Sequence, residues 1–401
     1  MSVYSDAERK SGIEEQRRIP AAIWVLSVSI FVIGSAELLP MGLLIPIAQQ
    51  YGLSVSTAGL LVTVYALGVA VGGPVLTATT GRTDRKMLLI GLLVLFVSGS
   101  LLSAIAPNFA VLLAGRLLSS FSHGTLFGIS IVVAGKLAPP GKEGVAISYL
   151  GTGLTLSTVL GAPLGTFIGQ SFGWRMSFLA VAVAAALCIL LMVRFVPAFP
   201  RGETVTMGKQ ARALGRPTLI LALLTTVFGF GGVFAGFTYI SPFLQQITGL
   251  SEKMVSPIML VFGIGSAVGN WIGRKLADWR LIPTLLGSLS TLVLTMAVFA
   301  WAGSEPVWAA ILVLIWGISG FAMVPPLNML VLKKAGEAAD LASSLNISAF
   351  NIGNALGAAL GGAVVQTGLA LRGAPAAGAV IGVVGLILLL VIKMLDKRPK
   401  G

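Results

Sequence analysis

The sequence predicts an all-α membrane protein with twelve transmembrane helices in two pseudo-symmetric six-helix halves. Three observations carry that prediction. Of the 401 residues, 56% are hydrophobic and only 10% are charged, far below the roughly 25% charged residues of soluble domains. The apolar residues gather into runs of about 20 residues or more, the length that crosses a bilayer as a helix. The basic residues alternate from dense to sparse between successive runs.

In chain order, residues 1–20 are mostly charged and polar and form an N-terminal segment. Six apolar runs follow, at 21–48, 54–79, 87–106, 109–134, 144–170 and 175–196, so that 21–196 is the first half. The stretch 197–217 is polar, basic and interrupted by Gly and Pro, and is read as the linker between halves. Six more runs, at 218–246, 254–273, 281–302, 307–332, 341–368 and 375–395, make 218–395 the second half, leaving 396–401 as a tail. Runs of this length exclude a membrane barrel, whose strands alternate over about ten residues. The first run is too long for the apolar core of a signal peptide, so no cleavable leader is expected.

The charges set the orientation. With the N-terminus in the cytoplasm, 23 of the 27 Lys and Arg fall on cytoplasmic segments. Arg175, Lys253 and Arg372 fall outside, and Arg116 lies within a run. Such a bias follows the positive-inside rule and puts both termini in the cytoplasm. It also accounts for the formal charge of +13 by topology and contact with anionic lipid, not by a nucleic-acid partner.

The halves echo one another. The connection after the second run reads Gly81-Arg82-Thr83-Asp84-Arg85-Lys86, and the one after the eighth reads Gly273-Arg274-Lys275-Leu276-Ala277-Asp278-Trp279-Arg280. The fifth run carries Gly161-Ala162-Pro163-Leu164-Gly165 and the eleventh Gly353-Asn354-Ala355-Leu356-Gly357. A parallel repeat of two six-helix units is a transporter architecture.

These segments make the chain resemble the major facilitator superfamily, and within it the drug:proton antiporters that include arabinose-efflux-permease-like proteins. The likeness covers nearly the whole chain beyond its first twenty residues. It rests on Ala36-Glu37-Leu38-Leu39-Pro40-Met41-Gly42 in the first run, on Gly81 to Lys86, on Arg116, on Gly161, Pro163 and Gly165, and on Phe237 to Pro242 and Asn346 to Gly362. Two departures stand out: the leading half of the Gly81 loop motif is degenerate, and Ser120 replaces the glycine usual four residues after the arginine. The resemblance implies a central cavity lined by the first, fourth, seventh and tenth helices, access alternating between the two faces, and proton-coupled efflux by antiport from a bacterial inner membrane. A drug-like compound, a sugar or a small metabolite suits that role, and a symporter or uniporter for uptake is the rival on the same fold. A membrane-embedded enzyme or sensor is disfavoured, because the sequence shows no catalytic cluster and no sizeable soluble domain.

Candidate chemistry begins with Glu37, the only acid well inside an apolar run. A charge in hydrocarbon is expensive and usually functional, and a carboxyl balanced between desolvation and a nearby cation can load and release a proton. It lies roughly 24 Å along its helix at 1.5 Å per residue, so a carboxylate reaching water at the outer boundary is the competing reading. Arg116 is the only base inside a run, at comparable depth, which makes the two natural partners. It stays protonated, so its role is electrostatic or that of a brace between helices. His123, the only histidine, follows two turns later on the same face and can relay protons or simply pack. These three are the proton-coupling candidates.

Gly161, Pro163 and Gly165 suggest a tightly packed hinge or seam. Gly81, Asp84 and Arg85 suggest a polar latch between helix ends, the alternative being a solvated loop. For substrate, Phe228, Phe234, Tyr239, Trp316 and Asn328 on the seventh and tenth runs suit an amphiphilic or planar molecule. One histidine and the single cysteine, Cys188, make a metal site improbable. No P-loop or dinucleotide fingerprint appears, so no cofactor is expected. The expected partners are a small-molecule substrate, protons and lipid, and the expected state is a monomer.

Overall fold

The computed structural model describes residues 19–80, 83–198, 216–335 and 339–396. Every regular element among them is helical. The first half comprises α1 (Ala21–Tyr51), α2 (Leu60–Thr79), α3 (Arg85–Ala104), α4 (Phe109–Leu137), α5 (Glu143–Phe172) and α6 (Trp174–Phe195). The second begins with α7 (Pro217–Gln246), whose helix turns over Thr238 and Tyr239 where Pro242 cannot donate to the carbonyl of Thr238.

The eighth and ninth expected helices run on as one hydrogen-bonded element, Glu252–Ala302. Arg280 breaks it, with φ −146° and ψ 89°. Pro283 explains the position, since it has no N–H for the carbonyl of Trp279. The element is therefore α8 (252–279) and α9 (281–302), and the loop expected over Gly273 to Arg280 is helix up to a single residue. The series closes with α10 (Pro306–Ala335), α11 (Ala339–Val365) and α12 (Gly373–Asp396), giving twelve spans.

Within each half the same pairs pack. The fifth-helix glycines lie against α1: a Cβ at Gly161 meets Ser35, one at Gly165 meets Leu39, and one at Gly169 meets Leu43 at 2.6 Å. The eleventh-helix glycines repeat this against α7, where a Cβ at Gly353 would stand 2.6 Å from the Val227 carbonyl and one at Gly361 2.5 Å from that of Ala235. The glycines therefore bind α5 and α11 inside their own halves rather than forming the seam between them. The seam is made by α2 on α11 and by α5 on α8, two contacts that exchange when the halves exchange. In α5 a π-helical turn, Ser157–Gly161, presents Val159 to α8, with the Val159 Cα 2.6 Å from a Cβ placed on Gly263. Pro163 accepts a hydrogen bond there from Ser256 Oγ at 2.9 Å.

Of the latch residues, Gly81 lies outside the described residues. Asp84 caps α3, accepting from the Met87 N–H at 3.0 Å, and Arg85 is the first residue of that helix. The linker expected over 197–217 falls largely outside the described residues as well.

An even number of spans puts the starts of odd helices and the ends of even ones on one face, here the N-terminal face. On the opposite face, hydrogen bonds join the halves. Ser56 Oγ donates to Gly362 O (2.7 Å), Gln366 Nε2 to Ser56 Oγ (2.9 Å) and Ser241 Oγ to Gly42 O (3.2 Å). With Ser256 on Pro163 they close that face. Arg175 and Arg372 lie on it too, but each bonds within its own half, to Ala106 O (2.7 Å) and Ala300 O (2.9 Å).

Candidate functional site

A cavity of about 370 Å³ opens between the halves. Its wall is drawn from α1, α2, α4, α5, α7, α10 and α11, a wider set than the four helices that the family resemblance implied. Phe127, Phe230, Phe234, Phe321 and Phe350 line it, as do Ser157, Thr158, Asn328, Asn351 and Asn354. Phe230 holds this aromatic wall together, meeting Phe350 edge-on at 4.9 Å and Phe321 at 5.7 Å between ring centroids. Asn328 is fixed by a chain of hydrogen bonds, accepting from Asn346 Nδ2 (2.8 Å), whose own Oδ1 accepts from Thr226 Oγ1 (2.8 Å). The lining contains Glu37 and His123, and no Lys or Arg among the described residues.

Glu37 is reached by both halves. Asn354 Nδ2, from α11, donates to its Oε1 at 3.1 Å. His123 Nδ1, from α4, stands 3.7 Å from its Oε2 and 3.2 Å from the Tyr65 hydroxyl of α2. A proton at His123 Nδ1 can thus be held by Tyr65 or, after a small approach, by Glu37.

Arg116 departs from the expected pairing. Its Nη1 donates to Ala36 O at 2.7 Å and its Nη2 to Glu37 O at 3.3 Å, both backbone carbonyls. No carboxylate lies within ion-pair distance of it among the described residues. The cause is in the sequence. Pro40 sits four residues after Ala36 and has no N–H to satisfy that carbonyl, an unmet group costing several kcal/mol in lipid. Arg116, 1% exposed, supplies the missing donor. Its guanidinium stacks on Tyr65, 3.9 Å from the ring centroid, a cation–π contact that compensates part of the buried charge.

Of the five substrate candidates, Phe234 and Asn328 line the cavity; Phe228, Tyr239 and Trp316 do not. Phe228 is two residues from Phe230, about 200° round the helix at 3.6 residues per turn. Trp316 is fully buried between Phe237, Phe262 and Phe299. Tyr239 spends its hydroxyl on Ala358 O at 3.0 Å, near the closed face. Tyr65 and Asn354 were not singled out as site residues from sequence. An amide within an apolar run was the available signal for Asn354, while nothing local marks Tyr65.

Residues 26–347 match the family model of the Major Facilitator Superfamily. The chain belongs to that superfamily. It is therefore a membrane transporter rather than an enzyme. It is 41% identical to the inner membrane transport protein YdhP of Escherichia coli (strain K12), over 96% of this chain and 98% of that one. It is 34% identical to a protein named probable sugar efflux transporter from Mannheimia succiniciproducens, over 90% and 91% of the two chains. Among solved structures it resembles the D-xylose-proton symporter, with a TM-score of 0.75 over 92% of this chain and 96% of that one at 17% identity, which is a likeness of fold.

Proposed function

We propose that this superfamily member is a proton-coupled exporter of the bacterial inner membrane, exchanging protons for a small amphiphilic or planar solute. The observation that carries the reading is Glu37. It is a carboxyl in the wall of a cavity between the halves, touched by His123 from one half and Asn354 from the other. A proton and a solute entering this cavity compete for one small volume, and the competition is the physical basis of antiport. Five phenylalanines beside three asparagines favour a flat, mostly apolar molecule with a few polar atoms. Phe234 and Asn328 are the substrate contacts retained from the sequence. The name of the Mannheimia relative favours a sugar as the second reading, for which Asn328, Asn351 and Asn354 would supply the hydrogen bonds.

The direct test is a compound library in everted membrane vesicles. The expected result is energy-dependent accumulation of a compound that collapses when an uncoupler is added. Accumulation only in right-side-out vesicles identifies an uptake symporter and overturns the reading; accumulation indifferent to the uncoupler removes proton coupling.

The orientation has its own check. The Lys and Arg bias puts both termini and the 197–217 linker in the cytoplasm. Reporter fusions in that linker and at Gly401 are expected to report cytoplasm, and an external linker would reject the six-plus-six order.

A further inference from the structure

Asn354 carries an unusual imbalance. It is 4% exposed, and its Nδ2 donates to Glu37 across the interface between halves. Its Oδ1 is buried with no hydrogen-bond partner among the described residues. A buried acceptor without a donor is costly and uncommon. The bond spans 317 residues of sequence and ties α11 of the second half to α1 of the first.

An asparagine side chain has one acceptor face and one donor face, exchanged by half a turn of the terminal torsion. Toward a carboxylate only the donor face fits, and that bond is charge-assisted, about twice as strong as a neutral one. Toward a protonated carboxyl the charge assistance is gone. Turning the amide over offers Oδ1 to the new O–H of Glu37, but only as a neutral bond and with Nδ2 stranded in its place. The groups around Glu37 leave this task to Asn354. From α4, Arg116 is committed to the carbonyls of Ala36 and Glu37, and His123 stands at 3.7 Å. The Tyr65 hydroxyl of α2 bonds to His123 and its ring carries the Arg116 guanidinium. The α7 side chains in the wall, Phe230 and Phe234, are apolar.

We propose that Asn354 is a positioning residue that reads the protonation of Glu37 across the interface, holding α11 on α1 when the carboxylate is bare and loosening that contact when it is protonated. This rests on the reading of Glu37 as the proton-carrying group, and it adds the link by which a proton becomes a movement of one half against the other.

The test needs no substrate. Spin labels on Gln49→Cys of α1 and on Thr367→Cys, two residues past the end of α11, report from the closed face the separation of the halves in the full-length protein carrying Cys188→Ser. Infrared difference spectra between acid and alkaline pH report the protonated carboxyl of Glu37 independently, assigned by its loss in Glu37→Gln. In the parent the carboxyl band titrates, and the ratio of close to separated populations changes about tenfold in step with it. In Asn354→Leu the band still titrates while the ratio changes less than about twofold, the charge-assisted bond being gone. Asn354→Ala answers the same question should the leucine variant fail to insert.

An Asn354 variant whose separation follows pH as the parent's does overturns the inference. So does a parent whose separation ignores pH although the band titrates. Absence of any titrating Glu37 band rejects the reading of Glu37 itself, and the inference with it.

Discussion

Glu37→Gln is expected to reduce proton-driven transport to the background of empty vesicles, while the protein still inserts and still exchanges substrate between compartments of equal pH. Glutamine keeps the shape of the side chain, and its oxygen can still accept from Asn354 Nδ2, but it cannot carry a proton. The folded state is not expected to suffer, because Arg116 bonds to the carbonyls of Ala36 and Glu37, which the substitution leaves in place. The check is paired: accumulation under an imposed pH gradient, and counterflow without one, in the same proteoliposomes. Gradient-driven accumulation at the parent rate in Glu37→Gln would remove the residue from the mechanism and make His123 the next candidate.

Arg116→Ala should fail differently, at the level of the fold. It strands the buried Ala36 O and weakens the setting of Glu37 O, at about 1–3 kcal/mol for each unpaired group. It also removes the cation stacked on Tyr65. A loss of roughly 3 kcal/mol or more is expected, seen as a lower melting temperature in detergent and a poor yield of inserted protein. Arg116→Lys, a point charge without the planar fork, should fall between the two.

The decisive arm is Pro40→Ala in the Arg116→Ala background. An alanine restores an N–H four residues after Ala36 and so fills the stranded carbonyl from within α1. Recovery of much of the lost stability is expected. If Pro40→Ala leaves the Arg116→Ala protein as unstable as before, the guanidinium has some other structural role.

The helices were legible because crossing a bilayer imposes a length and a polarity that no local accident mimics. What escaped was set by single residues or by the meeting of distant ones. The Gly273 to Arg280 stretch is polar and reads as a loop, yet its backbone stays helical up to the one break at Arg280. Glu37 and Arg116 were found as the only charges of their kind within spans, and they do lie together. The hydrogen bonds between them run from side chain to main chain, which a count of charges does not see. The spacing of Ala36 and Pro40 contained the missing fact, a main-chain acceptor freed by a proline one turn on. Among the aromatics, composition could not separate Phe234, in the cavity wall, from Trp316, in the packed interior. That choice depends on how α7, α8 and α10 rotate against one another.

The closed face is held by serine hydroxyls and a glutamine amide, chiefly on backbone carbonyls, and no ion pair crosses it among the described residues. Neutral bonds of this kind contribute only about 1 kcal/mol each and are not screened by dissolved salt as exposed charge pairs are. Closing them also spares the cost of dehydrating ions. In the orientation proposed above, the external medium, whatever its ionic strength, has little purchase on this closure. A cell that meets fluctuating salinity would find its barrier to leakage unchanged, with the decision to open left to what occupies the interior.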